Sequence, residues 1–590
     1  MFTDYLKNMK TPESFIPTGL TKKYYMDIIE ICFDAYPTSE IKKMEATDDI
    51  QTYSRLVNCL AGLISSGKKQ ECSGFFLEIM TNACNALELV KGTMMVDFSV
   101  KELLSAYIFI HKCEFVTEEY KKLWAEKFKL INPDTYYRFK TGDDHNINIY
   151  NLSGEWLRKK LGFSDDDDSY FNNCFEKQLL KFDKNGMYMD DFKSNPHRNS
   201  MLYDLSTRVQ MQLILGMGYN GIYKEKFDEV MQKGGMMSLF MQSTAFLLPY
   251  GGRSNQYLFN EGLLASNFEF EAARHKRLGN FELSGAYKRA AHKAVLTIDR
   301  WLSAKKHIKN FYGDSDVGTE GYGYFNKYMI TLGSFLLNGY MFSDDTIEEK
   351  ICPAECSFGN IFETTNNFSK IFASAGGYSI EIDVNANFNY DSTGLGRIHK
   401  AGMPTESGLS MPFTADAKYA VLEDAKKENL SIEAGWKTTT GEIQYLSYFI
   451  DLEYILNISE QSKENVKFSV TYKSPEFSGI EGLIETYIIS KNGIEISAEL
   501  INPVHNEIYF RVPLLYRNGD NEYSSKTEIT WTENEASVKM KDNLYVVKTD
   551  GKIKVGNEIY SNRNGEYKAS LLEKQGTNIN IKLTLELYKS

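Results

Sequence analysis

The chain has 590 residues, more than one hydrophobic core usually organises, so two or more domains are expected. Its 42% hydrophobic and 25% charged residues are those of an ordinary soluble globular protein. A net charge of -12 argues against nucleic acid or an anionic membrane as a partner, yet leaves room for an anionic sugar held by a few local cations.

From residue 20 to about residue 345 the chain reads as helix after helix. Apolar residues recur at three- and four-residue spacing through Tyr24–Tyr36, Ser54–Ser66, Phe75–Val90, Val100–Lys112, Glu118–Lys129 and Ile147–Leu161. The pattern continues through Ser169–Lys181, Ser200–Met217, Lys224–Phe246, Leu258–His275, Ser284–Leu302 and Tyr322–Tyr340. Twelve segments joined by short polar breaks suit six antiparallel helix pairs. Residues 346–375, which carry Pro353 and run up to Gly376 and Gly377, read as a linker.

Beyond it the period changes to two. Tyr378–Val384, Leu430–Ala434, Ile443–Ile458, Val466–Tyr472, Leu483–Ser490, Ile494–Leu500, Ile508–Pro513, Val538–Met540, Tyr545–Thr549 and Ile579–Tyr588 largely alternate apolar with polar residues. Short strands without intervening helices predict an antiparallel β-sandwich over 376–590, after an (α/α)6-type toroid over 1–345. The fold class expected is therefore α+β and multidomain.

The start, Met1–Lys10, lacks the apolar core of a secretory signal. Stretches such as Leu332–Phe342 fall short of the roughly 20 residues a spanning helix needs, so a cytoplasmic protein is expected. Eight cysteines between Cys32 and Cys356 show no zinc-type pairing, and no dinucleotide fingerprint appears, so neither a metal nor an organic cofactor is expected. The acidic run Asp165–Asp168 reads as solvated charge. The 38 Tyr against 5 Trp suit sugar stacking, and equally suit a compositional bias.

A helical toroid followed by a β-sandwich resembles the polysaccharide lyases of the heparinase and alginate-lyase kind, and certain glycoside hydrolases with the same toroid. At residue level the segments Asn148–Arg158, Gly186–Arg208, Gly251–Glu261, Gly318–Tyr328 and Thr393–His399 look like the uronic-acid-releasing, β-glucuronidase-like hydrolases of glycoside hydrolase family 154. The resemblance implies an enzyme acting on uronic-acid-containing oligosaccharides.

Four interhelical breaks are unusually polar. Asn146, with His145, precedes a helix: it suits an N-cap, and the resemblance implies a second use, because lyases of this architecture hold a substrate carboxylate with an asparagine in a comparable place. His197, Tyr203, Asp204 and Arg208 surround the next break, where Asp204 and Arg208 form an i,i+4 pair open to a scaffold role or to substrate. Leu248–Gln256 sets Gly251 and Gly252 before Arg253, Ser254, Asn255 and Gln256, with Asn260 and Glu261 one helical turn later. Such glycines permit close backbone approach, and a guanidinium grips carboxylates. The fourth break holds Glu320 and Tyr322 between glycines. From the sandwich, Arg397 and His399 on a glycine-rich connection are expected to reach over the toroid rim, or to serve a closed hairpin.

Two chemistries fit. Hydrolysis needs a protonated carboxyl and an ionised one, at roughly 6.5–9.5 Å for inversion, and points to Glu261 and Glu320 with Asp204 in reserve. Elimination needs a neutralised carboxylate, a base and an acid, which His197, Tyr203 or Tyr322, Asn146 and Arg253 supply. Carboxylates occur in every polar break while histidine is sparse, at eight in the chain, so hydrolysis is the first expectation, elimination the second and glycan binding without catalysis the third.

Overall fold

The computed structural model describes residues 2–140, 145–166, 168–190, 198–303, 325–355, 359–415, 424–518, 527–576 and 580–589. The first helices are α1 (Thr3–Asn8), α2 (Lys22–Asp34), α3 (Thr38–Ile41), α4 (Ile50–Ser65) and α5 (Ser73–Leu89). They are followed by α6 (Met94–Ile110), α7 (Glu118–Lys129), α8 (Pro133–Tyr136), α9 (Ile147–Lys160) and α10 (Ser169–Leu179). The series ends with α11 (Met201–Gly216), α12 (Lys224–Met241), α13 (Phe259–Arg277), α14 (Phe281–Ser303) and α15 (Phe325–Phe342). Each of the twelve segments expected from periodicity corresponds to a long helix.

Six of these close a ring: α4 packs on α6, α6 on α9, α9 on α11, α11 on α13, α13 on α15, and α15 back on α4. Outside it α5 lies against α4 and α6, α12 against α11 and α13, α14 against α13, and α2 against α15 and α4. The two layers differ in burial for that reason. Outer α7 buries only Trp124 and Phe128, whereas inner α9 is buried continuously from Ile147 to Arg158. An inner helix has protein on both sides, so its polar residues must find partners inside. Gln212, for example, donates to Asn267 and Glu271 of α13.

The remaining chain forms three antiparallel sheets. β1 (Asn360–Glu363), β2 (Lys370–Ala375), β3 (Tyr378–Asp383) and β4 (Gly394–Lys400) pair in sequence order. The next strands are β5 (Glu433–Lys437), β6 (Ile443–Tyr445), β7 (Glu453–Gln461), β8 (Asn465–Lys473), β9 (Gly482–Ser490) and β10 (Gly493–Ile501). Then come β11 (Glu507–Asn518), β12 (Glu528–Trp531), β13 (Glu535–Met540), β14 (Asn543–Thr549), β15 (Lys552–Asn562), β16 (Gly565–Gln575) and β17 (Asn580–Lys589). An eight-stranded sheet runs β12-β13-β14-β17-β10-β9-β8-β7, and a five-stranded one runs β15-β16-β11-β5-β6. Ile380, Leu483 and Phe510, one from each sheet, belong to a single apolar core, as sandwich packing requires.

Three expectations change. The stretch read as linker, 346–375, contains β1 and β2. Ile443–Ile458 is two strands separated by the 3-10 turn Leu446–Tyr448. Residues around Arg397 and His399, read as a connection, are strand β4. Its glycines disguise it: a Cβ on Gly394 or Gly396 would collide with Ser431 or Tyr250, so the strand carries glycine where its neighbours press closest.

Candidate functional site

A cavity of about 380 Å³ lies at the centre of the helical ring. All six inner helices line it, each through its N-terminal turns: Gln51 and Arg55 of α4, Met94 and Phe98 of α6, Ile147 and Tyr150 of α9. Leu202, Tyr203 and Ser206 of α11, Phe259 and Leu263 of α13, and Lys327, Tyr328 and Thr331 of α15 complete the wall, with Phe335 added from further along α15. Six helix starts therefore converge on one volume. Helix N-termini carry unpaired N–H groups and partial positive charge, so the arrangement favours a bound anion.

The polar wall comes from the breaks before these helices. Asn146 stands at the N-cap position of α9, yet its side chain makes no capping hydrogen bond. It is 5% exposed, and its Oδ1 has no hydrogen-bond partner. A buried acceptor left open on a cavity wall is a costly feature unless a ligand satisfies it. Beside it, His145 stacks on Phe139 and accepts the Ile147 N–H through Nδ1 at 3.2 Å. Tyr203, in the first turn of α11, meets Ser254 with its hydroxyl 3.2 Å from Oγ.

Arg253 and Ser254 ride on a turn clamped from the β-sheet side. Glu381 accepts the Tyr250 N–H at 3.2 Å, and Asp391 accepts the Gly252 N–H at 2.7 Å. Arg397 donates to the Leu248 carbonyl at 2.8 Å, and Arg563, between β15 and β16, donates to the Asn255 carbonyl. Gly252 has φ +74°, and a Cβ there would lie 2.7 Å from the Ser200 backbone. Ser254 and Gln256 also hold positive φ, of 62° and 66°, a strain that the surrounding clamp maintains. Lys370 sits 3.7 Å above the Tyr250 ring and 3.1 Å from both Glu381 and Asp383. Burial pushes the Asp391 carboxyl up to about 7, against the pull of Lys370 and with Asp383 adding to the rise.

Charge on the cavity wall is mostly positive. Arg55, Arg253 and Lys327 line it, and Asp190 is the one carboxylate among the described lining residues. Lys327 is paired with Asp49 at 2.7 Å. Burial raises the Tyr150 phenol to about 12, with Arg55 and a bond from Ser206 acting the other way.

Of the residues singled out from sequence, the fold brings Asn146, Tyr203, Arg253 and Ser254 together on this wall. Glu261 is elsewhere: it is 1% exposed and accepts the Leu248 N–H at 3.2 Å, which ties α13 to the start of the turn. Asp204 and Arg208 form a buried two-point ion pair at 2.9 and 2.7 Å. Asp204 also takes the Tyr188 N–H, while Arg208 donates to Asn267 and Ser238, so this pair belongs to the scaffold. Asn255 and Gln256 are buried and bond to one another at 2.6 Å, with Asn255 also donating to the Pro249 carbonyl. Arg397 pairs with Glu381 at 3.2 Å, and His399 lies between Ser243 and Ser410, so both hold the sheet to the helices rather than reach the cavity. Glu320, Tyr322 and His197 lie outside the described residues. Arg55 and Lys327 were missed. The available signal for Arg55 was an arginine directly before the largely apolar run Leu56–Ile64.

No protein-family model and no curated protein matches the sequence. Among solved structures, the chain is similar to the chondroitin AC lyase of Streptomyces coelicolor A3, solved in complex with chondroitin sulphate. That match has a TM-score of 0.52 and 8% identity, and covers 100% of this chain and 83% of that one. A heparinase III aligns with TM-score 0.48 and 8% identity over 100% of this chain and 88% of that one. The heparan sulfate lyase HepC of Pedobacter heparinus aligns with TM-score 0.46 and 9% identity, covering 91% and 76%. The likeness to the chondroitin lyase is one of fold: a helical toroid followed by antiparallel sheets.

Proposed function

We propose that the chain is a lyase that cleaves a uronic-acid-containing oligosaccharide by β-elimination. The observation that carries this reading is the composition of the cavity wall, where Asn146, Tyr203, Ser254 and Arg253 meet among six helix N-termini. Hydrolysis, the first expectation, would need a second carboxylate beside Asp190, and the described lining residues supply none. The shared fold with a chondroitin lyase supports the same choice.

In the proposed reaction the sugar carboxylate lies against Arg253 and Asn146. Hydrogen bonds and positive charge there stabilise the enolate-like charge that builds as the C5 proton leaves. Tyr203, oriented by Ser254, removes that proton as its phenolate. Electrons from the C5–H bond form the C4–C5 double bond, the C4–O bond breaks, and the departing oxygen takes a proton from the same phenol. Tyr203 thus returns to the phenolate from which it started, the C5 proton ends on the departing oxygen, and no water is consumed. The apolar side of the wall, Phe98, Leu202 and Phe259, offers surfaces for a pyranose ring.

Tyr203→Phe tests this directly. With uronic-acid oligosaccharides the native chain should generate an unsaturated product that absorbs in the ultraviolet. The variant should lose at least about 100-fold in kcat, because a positioned proton-transfer group contributes that much or more. New reducing ends without absorbance, or undiminished turnover in Tyr203→Phe, would overturn the proposal.

A further inference from the structure

Deep in the cavity, on α4, Arg55 is 6% exposed. Its Nη1 donates to the Thr331 hydroxyl at 2.7 Å, its Nε has no hydrogen-bond partner, and its guanidinium stands 5.9 Å from the centre of the Phe335 ring. Among the described residues no carboxylate lies within ion-pair distance of it. Glu102, whose negative charge Arg55 helps to stabilise from outside ion-pair distance, is already engaged: Lys101 meets Oε1 at 2.8 Å, Ser334 donates to Oε1 at 2.7 Å, and Asn58 donates to Oε2 at 2.5 Å. Lys101 is itself fully buried. Two buried cations thus share one buried anion. Lys327, another cation on this wall, is paired with Asp49.

An unmatched buried charge is expensive, and protein interiors retain one where a partner arrives from outside. The neighbourhood suits an anion. Tyr150, which Arg55 influences, lines the same cavity, as does Ser206, three residues after Tyr203 on α11 and hence one helical turn further along the same face.

We infer that Arg55 forms a second anion subsite, separate from Arg253 and Asn146, so that the preferred substrate presents two negative groups to this cavity. This rests on the reading of the cavity as a uronate site. The second group is a sulfate ester or the carboxylate of an adjoining uronate; both offer the oxygens a guanidinium grips.

Calorimetric titration of the full chain with three sets of disaccharides separates the cases. One set carries a single uronate carboxylate, one adds a sulfate at each free hydroxyl in turn, and one consists of two linked uronates. At least one dianionic ligand should bind about tenfold tighter or more than its monoanionic parent, the order expected for a charge-assisted hydrogen bond in a shielded site. The set that shows the gain identifies the group. Arg55→Met should erase the gain, Arg55→Lys should keep part of it, and Arg253→Met should weaken all three sets alike. Should Arg55→Met fail to fold, Arg55→Lys and the native preference still decide. Equal binding of all sets by the native chain, or a gain that survives loss of Arg55, would overturn the inference. Ultraviolet-absorbing product without a dianion preference removes this subsite and leaves the lyase intact; an Arg55-dependent preference without such product does the reverse.

Discussion

Asn146 shows how one side chain separates scaffold from site. Helix N-caps of this type stabilise by about 0.5–2 kcal/mol when the side chain accepts an N–H. Here the side chain makes no such bond and leaves Oδ1 open at the cavity. Asn146→Ala should therefore cost little stability, under about 0.5 kcal/mol by thermal unfolding, while lowering kcat/KM by about 100-fold. A large loss of stability with retained activity would return Asn146 to a capping role. Glu261 is the opposite case, enclosed and bonded to the Leu248 N–H. Glu261→Gln keeps an acceptor oxygen, and its turnover should stay within about tenfold of the native chain; a loss of several orders of magnitude would restore it as a catalytic acid. The sequence marked both residues for the same reason, polar density at a break between helices. It could not tell them apart, because whether a carboxylate faces the cavity or the Leu248 amide depends on how α13 is rotated in the ring. Arg55 was passed over for a related reason: an arginine beside apolar residues on a helix usually lies at the surface.

At the scale of elements, the Leu248–Gln256 turn is the piece that the rest of the fold holds in shape. Its glycines and polar run were legible. Its clamp was not, since Glu381, Asp391, Arg397 and Arg563 follow more than a hundred residues later. Arg563→Ala removes a charged donor to the Asn255 carbonyl, a bond of about 1.5–3 kcal/mol, and should loosen the turn locally. Amide exchange at Tyr250 and Gly252 should quicken and kcat/KM fall about tenfold, whereas unchanged exchange would show that the clamp is redundant. The same interface gives a pH effect. A free aspartate titrates near 3.9, and burial raises Asp391 to about 7. Between those values the folded chain holds the additional proton, so this group makes stability fall as pH rises from about 4 to about 7. Asp391→Asn keeps an oxygen for the Gly252 N–H and should flatten that fall. Comparison of Tm at about pH 5 and about pH 8 checks it: an equal drop in both proteins would contradict the assignment.

For the whole molecule, the change of apolar period from helical to alternating located the toroid and the sandwich, because burial on one face of each element writes that period into the chain. The inner ring was harder to foresee. Helices enclosed on both sides carry internal ion pairs such as Asp204–Arg208, which resemble catalytic groups in a linear reading. The strands β1, β2 and β4 were hidden by short length and by glycines that close contacts demand. Ring closure itself has a functional consequence that no single segment reveals, the gathering of six helix N-termini around a wall bearing Arg55, Arg253 and Lys327. Charge of this kind is partly screened by salt, so KM for an anionic oligosaccharide should rise with ionic strength, and a salt-independent KM would count against an anionic substrate.

Oxygen bookkeeping in the product tests the elimination most directly. Digestion of uronic-acid oligosaccharides in heavy-oxygen water should yield a new non-reducing end that lacks one water relative to the hydrolytic product, with no label fixed in the act of cleavage. Incorporation of one labelled oxygen per bond broken, in a fully hydrated sugar, would show that water is the reactant and that the assignment of Tyr203, Asn146 and Arg253 to elimination is wrong.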